Sequence, residues 1–315
     1  MSFYKQIDLS KIKSIPFSKR KSRVQLKDFA RPVSDKEDLN GFLSKLPNFL
    51  KAKELKELIK AIHQAREKGK PVIFMFGAHL VKLGLSPVLI DLISNKFISL
   101  LSTNGAGAVH DFEIGIWGRT SEDVASGLKK GTFGMSGETS KFFNQISKHA
   151  VNSNQGLGEG IGEYLIKNKA KFRKYSLLAS AYQQKIPVTV HVGIGTDIVH
   201  QSPYFDPAST GEASFTDFKI LAQEVSRLDN GGVVLHFGSA VILPEVFLKA
   251  LSVARNVKGK VENFTTANFD MIQHYRPNMN VVLRPTREKG KGYSFTGHHE
   301  IMLPLLAWAL KAGKT

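Results

Sequence analysis

The chain has 315 residues, of which 42% are apolar and 23% charged, the balance of a globular protein with an ample core rather than of a disordered chain. It contains no cysteine, which excludes disulfides, thiolate metal sites and a cysteine nucleophile. A formal net charge of +17 raises the question of nucleic acid or a membrane surface as partner.

The distribution of that charge answers part of the question. Residues 1–31 hold nine Lys and Arg against Asp8 and Asp28, and the remainder is spread over Lys51 to Lys60, Lys167 to Lys174 and Arg284 to Lys291. No recognition helix, zinc finger or aromatic RNA-binding signature accompanies them, so a solvated basic surface or attraction of an anionic cofactor or substrate is expected rather than nucleic-acid binding. No run approaches the ~20 apolar residues that span a bilayer. The opening residues, MSFYKQIDLSKIKS, lack the apolar core of a secretory signal, and the cytoplasm is the expected location.

In chain order, residues 1–33 are basic, punctuated by Pro16 and Pro32, and without sustained period; they read as an arm ahead of a single α/β domain, 34–315. Ser34 to Glu37 forms a capping-box pattern that opens a first helix to about Leu46. A second amphipathic helix runs from about Ala52 to Lys68. Val72 to Phe76 is uninterruptedly apolar, as a buried strand is. Strands and helices then alternate. Strands are expected at Phe97–Leu101, Val188–Val192, Val233–Phe237 and Asn263–Thr265, with a weaker one at Val281–Leu283. Ser214 and Asp217 pattern as a capping pair for a helix over Phe215–Leu228, and the chain closes on a helix over His299–Leu310. Five strands separated by helices predict right-handed crossovers and a parallel, Rossmann-like three-layer sheet covered on both faces.

Such sheets present chemistry at the carboxyl ends of their strands. Here those ends carry small or polar residues: Gly77, Ala78 and His79; then Ser102 to Gly118, a glycine-rich turn with Asn104, Gly105 and Gly107 leading to His110, Asp111 and Glu113; then Gly193 to Asp197, Gly238 with Ser239, and Thr266 with Ala267. The standard dinucleotide glycine fingerprint is absent, because Gly156 to Gly162 follows no expected strand. Histidines His79, His110, His191, His200, His236, His274, His298 and His299 fall on or beyond strand ends, where neutral imidazole suits proton transfer or metal ligation. His110 and Glu113 with His298, His299 and Glu300 could be drawn as a metal site, but their spacing matches no metalloenzyme motif, so no metal residues are assigned.

The order of these motifs resembles the deoxyhypusine synthase family over roughly residues 70–310. Gly77 to Gly84 is similar to that family's first nicotinamide-binding loop, Ser102 to Asp111 to its threonine–glycine–glutamate–aspartate loop, and Gly195 to Asp197 to its threonine–aspartate pair. Gly238 to Val241 falls on its triple-glycine turn and Phe264 to Asp270 on its threonine–alanine–phenylalanine–aspartate segment. The resemblance implies NAD as cofactor, held by Ala78, His79, Asn104, Gly105, Gly107, Asp197, Gly238, Ser239, Thr266, Ala267 and Asp270. It further implies a small amine substrate and a homotetramer. His110, Asp111, Glu113, His200, His236, His274, His298 and Glu300 are the candidates for substrate contact or proton transfer. The family's nucleophilic lysine has no counterpart: Met271 to Arg287 contains no lysine, and Lys82, Lys249, Lys289 or Lys291 would have to supply the amine. The expected reaction is therefore amine chemistry other than deoxyhypusine formation. A regulatory NAD-binding protein and a metal-dependent hydrolase using the histidines are the alternatives.

Overall fold

A computed structural model describes residues 3–313. The chain folds as two compact units, Met1–Lys53 and Glu54–Thr315.

In the first unit the chain is largely irregular, with short 3₁₀ turns at Leu9–Lys11, Phe17–Lys19 and Leu26–Asp28. It then forms helix α1, Leu39–Lys45. Asp38, not Ser34, caps this helix, its side chain accepting from the Gly41 N–H at 2.7 Å. Helix α2, Leu50–Glu67, begins at the end of this unit and buries Leu55, Leu58, Ile59, Ile62 and Ala65, the one-sided spacing of an amphipathic helix.

The second unit is built on six strands: β1 Val72–Phe76, β2 Leu100–Asn104, β3 Val188–His191, β4 Val233–Phe237, β5 Thr265–Asp270 and β6 Lys291–Thr296. All pair in parallel, in the order β3-β2-β1-β4-β5-β6. The order reverses direction between β1 and β4, which makes the carboxyl ends of those two strands the topological switch point. Between the strands run α3 Ala78–Lys82, α4 Ser86–Ser94, α5 Gly105–Trp117, α6 Val124–Lys130, α7 Gly137–Asn152, α8 Leu157–Lys167, α9 Leu177–Gln183, α10 Pro207–Val225 and α11 Ile242–Lys258. After β5 come α12 Tyr275–Pro277, a π-helical stretch Asn278–Leu283 and α13 Arg284–Thr286; α14, His299–Ala312, follows β6. None of these helices is long and apolar enough to cross a membrane.

Each face of the sheet has its own row. On one, Phe237, Phe269 and Phe295 lie in register on β4, β5 and β6, with ring centroids 4.4 and 4.7 Å apart. On the other, Thr189, Ser102, Met75, His236, Asn268 and Ser294 align across all six strands. Alternation of side chains along each strand produces both rows from one register.

Several boundaries differ from expectation. Strand β2 starts later and runs to Asn104, and the Gly105-Ala-Gly107 segment opens a helix instead of a loop. The expected strand Val281–Leu283 is π-helical, its apolar residues Val281 and Val282 being buried by a helical turn. Helix α10 starts at Pro207, capped by Asp206, which places Asp217 mid-helix. There the buried Asp217 carboxyl accepts from the N–H groups of Gly158 and Val190, both at 2.9 Å, tying α8 to β3.

Candidate functional site

Two neighbourhoods at the carboxyl edge of the sheet carry polar side chains. The first is the switch point. The turns leaving β1 and β4 lie against each other: a Cβ on Gly77 would stand 2.2 Å from the Gly238 carbonyl oxygen, and one on Gly238 (φ +64°) would stand 2.6 Å from His299 Nε2. Only glycine fits at both positions. His299, at the start of α14, is fully buried; its Nε2 is 3.8 Å from Asp270 Oδ1, and its ring lies 6.1 Å from that of His79. Neither of its ring nitrogens has a hydrogen-bond partner. Burial lowers its pKa, with Asp270 opposing.

On the other face, His236 is also fully buried. The Phe295 carbonyl accepts from Gln273 Nε2 at 3.0 Å, Gln273 Oε1 accepts from Asn268 Nδ2 at 2.8 Å, and Asn268 Oδ1 therefore accepts from His236 Nδ1 at 2.7 Å. The chain of amides sets this tautomer and leaves Nε2 bare. Burial brings the His236 pKa down to about 4, against the favourable Asn268 bond and the Asp270 charge.

The second neighbourhood is a cleft of about 690 Å³ between α3, α5 and α7 and the loops beside them. Four carboxylates line it: Glu113, Glu122, Glu138 and Asp197. His110, Lys82 and Thr120 share its wall. Glu113 accepts from Thr120 Oγ1 at 2.5 Å through Oε2 and from Thr139 Oγ1 at 3.0 Å through Oε1. His110 Nδ1 lies 2.6 Å from Thr120 Oγ1. Burial, aided by the Lys82 ammonium, pulls the His110 pKa down to about 4, so the imidazole is neutral at pH 7.

Asp197 stands over the first turn of α5. A Cβ on Gly105 would meet its Oδ2 at 1.9 Å, and the Ala106 backbone N–H bonds it. Burial outweighs that bond and pushes its pKa up to about 6. Asn104 caps the same helix, accepting from the Gly107 N–H at 2.9 Å, and Gly107 leaves room for Thr103 Oγ1, 2.1 Å from where its Cβ would be. The donors at this helix start are thus met from within the chain. A phosphate is not needed there, and the Asp197 carboxylate opposes one.

Of the residues proposed from sequence for catalysis, the cleft brings together His110 and Glu113 alone. Asp111, one residue from His110, points the other way into the core. Its carboxylate takes the Ser176 hydroxyl at 2.5 Å and the N–H groups of Leu177 and Leu178 at 2.7 and 3.1 Å, anchoring the start of α9. His200 holds the Gly193–Asp197 loop, its Nδ1 accepting from the N–H groups of Gly195 and Asp197 at 3.1 Å. His236 is sealed inside the sheet. His274 sits half-buried before α12, and His298 and Glu300 are exposed at the start of α14. His110 and Glu113 therefore do not meet His298 and Glu300, and no three His, Asp or Glu among the described residues are grouped to hold a metal.

Among the cofactor candidates, Ala78, His79, Gly238, Ser239 and Asp270 lie at the switch point. Thr266 and Ala267 do not reach it. Strand β5 runs on to Asp270, so both are fully buried in mid-strand opposite Val234 and Leu235. Sequence reasoning passes over Thr120 and Thr139; it names Lys82 only as one of four possible amines and His299 only as one of the strand-end histidines. A sharper weighting of β6, whose buried Tyr293 and Phe295 alternate, sets His299 just beyond a strand end. Of the four candidate lysines, Lys249 pairs with Glu245, Lys289 with Glu262 at 2.7 Å and Lys291 with Glu57 at 3.3 Å, whereas Lys82 lines the cleft.

No protein-family model and no curated protein matches the chain. Solved structures do. A "putative deoxyhypusine synthase" from Entamoeba histolytica superposes with TM-score 0.55 at 9% identity, covering 91% of this chain and 97% of that one. The fold is deoxyhypusine synthase-like. A "conserved putative LOR/SDH protein" from Methanococcus maripaludis S2 shares it at TM-score 0.52 and 14% identity, covering 90% of this chain and 73% of that one. So does AgrE, solved as a ternary complex with ornithine and NAD+, at TM-score 0.52 and 14% identity; 83% of this chain matches, spanning only 33% of AgrE.

Proposed function

We propose that this deoxyhypusine synthase-like chain is an NAD-dependent enzyme acting on a small cationic amine. The observation that carries the reading is the cleft in which four carboxylates outnumber the two cations, Lys82 and Arg119, and face a neutral imidazole. Carboxylates on the wall favour an ammonium group over an anion. The switch point fits a polar cofactor, because His299 keeps two buried ring nitrogens without partners, and fully buried polar groups are rarely left so. Ala78, His79, Gly238, Ser239, Asp270 and His299 would hold NAD there, and the bound nicotinamide would supply a hydride acceptor. The likeness to AgrE, a protein solved with ornithine and NAD+, supports the pairing of cofactor and amine. Lys82 is the side chain that could add to an oxidised amine carbon. The tetramer implied by the family resemblance is part of the same proposal, and light scattering reads it directly.

Calorimetric titration with NAD, then with spermidine and with ornithine in its presence, tests the assignment. Heat at micromolar to millimolar ligand and a raised melting temperature are expected. Absence of both for NAD ends the proposal. The alternative, a regulatory NAD-binding protein, draws support from the surface ion pairs that occupy three of the four candidate lysines. Borohydride trapping with spermidine and NAD together separates the two, since NAD must first oxidise the amine carbon before Lys82 can form a reducible imine, and a reduced adduct on Lys82 is incompatible with a purely regulatory role.

A further inference from the structure

Hydrogen-bond arithmetic in the cleft determines a proton position. The Glu113 carboxylate has acceptors only, so the Thr120 hydroxyl, 2.5 Å from Oε2, must donate to it. Having spent its one hydrogen, Thr120 Oγ1 can only accept from His110 Nδ1 at 2.6 Å. The other Glu113 oxygen is held in the same way: Thr139 donates to Oε1 at 3.0 Å, and Ser136 Oγ, 2.9 Å from Thr139 Oγ1, is left to donate to Thr139. Every side-chain polar atom of Glu113, Thr120 and Thr139 is thereby committed. His110 is left as the Nδ1–H tautomer with a free lone pair on Nε2, in a residue that lines the cleft.

We propose that His110 is the proton acceptor for an amine bound in this cleft, and that Thr120 and Glu113 are positioning residues that hold its Nδ1–H tautomer. The inference rests on the amine reading above for its use, and on the geometry alone for the tautomer. In the step it performs, a substrate ammonium N–H bond breaks, the proton passes to Nε2, and the freed amine keeps the electron pair. The imidazolium so formed donates through Nδ1 to Thr120, whose own hydrogen remains directed at Glu113, so positive charge appears next to a carboxylate one hydroxyl away. The charged groups facing His110 are Lys82 from α3, Glu113 from α5, Arg119 and Glu122 from the loop after it, Glu138 from α7 and Asp197 from the loop after β3. Lys82 and burial keep the resting imidazole neutral and its Nε2 open as an acceptor; so weak a base takes the proton only transiently, as the amine reacts.

The test is imidazole ¹⁵N NMR of the full chain, with His110 assigned by His110→Gln. The expected result is a neutral Nδ1–H tautomer at pH 7 with a titration midpoint well below the ordinary value of about 6.5. In Thr120→Val that preference should be lost, with the Nε2–H form exceeding half of the population, while Thr120→Ser should restore it. An Nε2–H tautomer in the wild type, or a Thr120→Val spectrum like the wild type, overturns the relay whether or not amines bind. Should the tautomer stand but Nε2 fail to respond to saturating spermidine or ornithine with NAD, the amine reading is what fails. Where turnover is measurable, Thr120→Val should lower kcat about 100-fold with KM unchanged, the range of lost acid–base catalysis. A change confined to KM contradicts a positioning role.

Discussion

The cleft and the switch point lie at one sheet edge, and they treat polar groups in opposite ways. In the cleft, Glu113, Thr120 and Thr139 are joined with His110 and Ser136 in one chain of hydrogen bonds, one imidazole nitrogen is left free, and only Asp197 Oδ2 among the described cleft side chains is buried without a hydrogen-bond partner. At the switch point the chain is drier and less satisfied: His299 has two orphan nitrogens and His236 one, all buried. An unpaired buried polar atom costs about 1–3 kcal/mol, so the second arrangement is sustained against a larger penalty. The cleft holds a defined lone pair in readiness, and the switch point holds unmet hydrogen-bonding capacity for something to fill.

The same contrast extends to the backbone, where the largest effect is expected. Gly77→Ala drives a methyl to 2.2 Å from a backbone carbonyl, and neither chain segment can yield without moving β1 or β4. We expect a loss of about 3 kcal/mol or more in urea unfolding, at the upper end of overpacking effects. Wild-type stability in that variant would mean the two turns do not touch as described.

Acid sensitivity should follow the buried imidazole at the switch point. The folded pKa of His236, about 4, lies below the ordinary 6.5. Its neutral form is therefore favoured by the native state: this contribution is fully present above pH 6.5 and is lost as pH falls through 4, roughly 3 kcal/mol across that window. His236→Gln should show a flatter melting temperature than the wild type between those two pH values. Parallel curves would remove His236 as a source of acid lability.

Asp197 in the cleft has the reverse sign. Its folded pKa of about 6 is above the ordinary 3.8, so the native state favours the protonated acid; that contribution is present below 3.8 and lost as pH rises through 6. Asparagine mimics the protonated form and can still accept from Ala106. Asp197→Asn should therefore be more stable than the wild type at about pH 7.5, by up to about 3 kcal/mol, with the advantage fading as pH falls through 6 and gone below about pH 4. Melting temperatures at the two pH values check it, and a destabilised variant at the higher pH would show that the carboxylate, charged, is what α5 requires.

How much of this is legible in the sequence depends on what each signal measures. Val72–Phe76 and Val233–Phe237 are legible because central parallel strands are apolar on both faces. Strand β5, TTANFD, is misplaced at its end because its buried Thr266, Asn268 and Asp270 look polar, and their burial depends on β4 and β6 beside them. The Ser102–Gly118 stretch reads as a loop because its glycines suggest a turn; they are there so that Asp197 and Thr103 can press on the helix start. Charge pattern does not separate His110 from Asp111 or Glu113. Helix geometry does, since residues one apart point about 100° away from each other, while His110 and Glu113, three apart, share a face. Thr120 and Thr139 carry no signal at all, because their role exists only through the atoms they bridge.

The smallest effect belongs to the cleft. Gly137 opens α7 directly beside Glu138 and Thr139, yet nothing lies within 4 Å of where its Cβ would be, and its φ is not in the left-handed range. Alanine there loses less chain entropy on folding than glycine and suits a helix better. Gly137→Ala should raise stability by about 0.5 kcal/mol and leave the His110 tautomer unchanged, because the Thr139 hydroxyl is set by Glu113 and Ser136 and not by the residue at 137. A methyl is thus welcome at the mouth of the cleft and intolerable at Gly77. If Gly137→Ala shifted the His110 resonances, the first turn of α7 would be adjusting Glu113 through Thr139, and the relay would extend one element further than the direct contacts require.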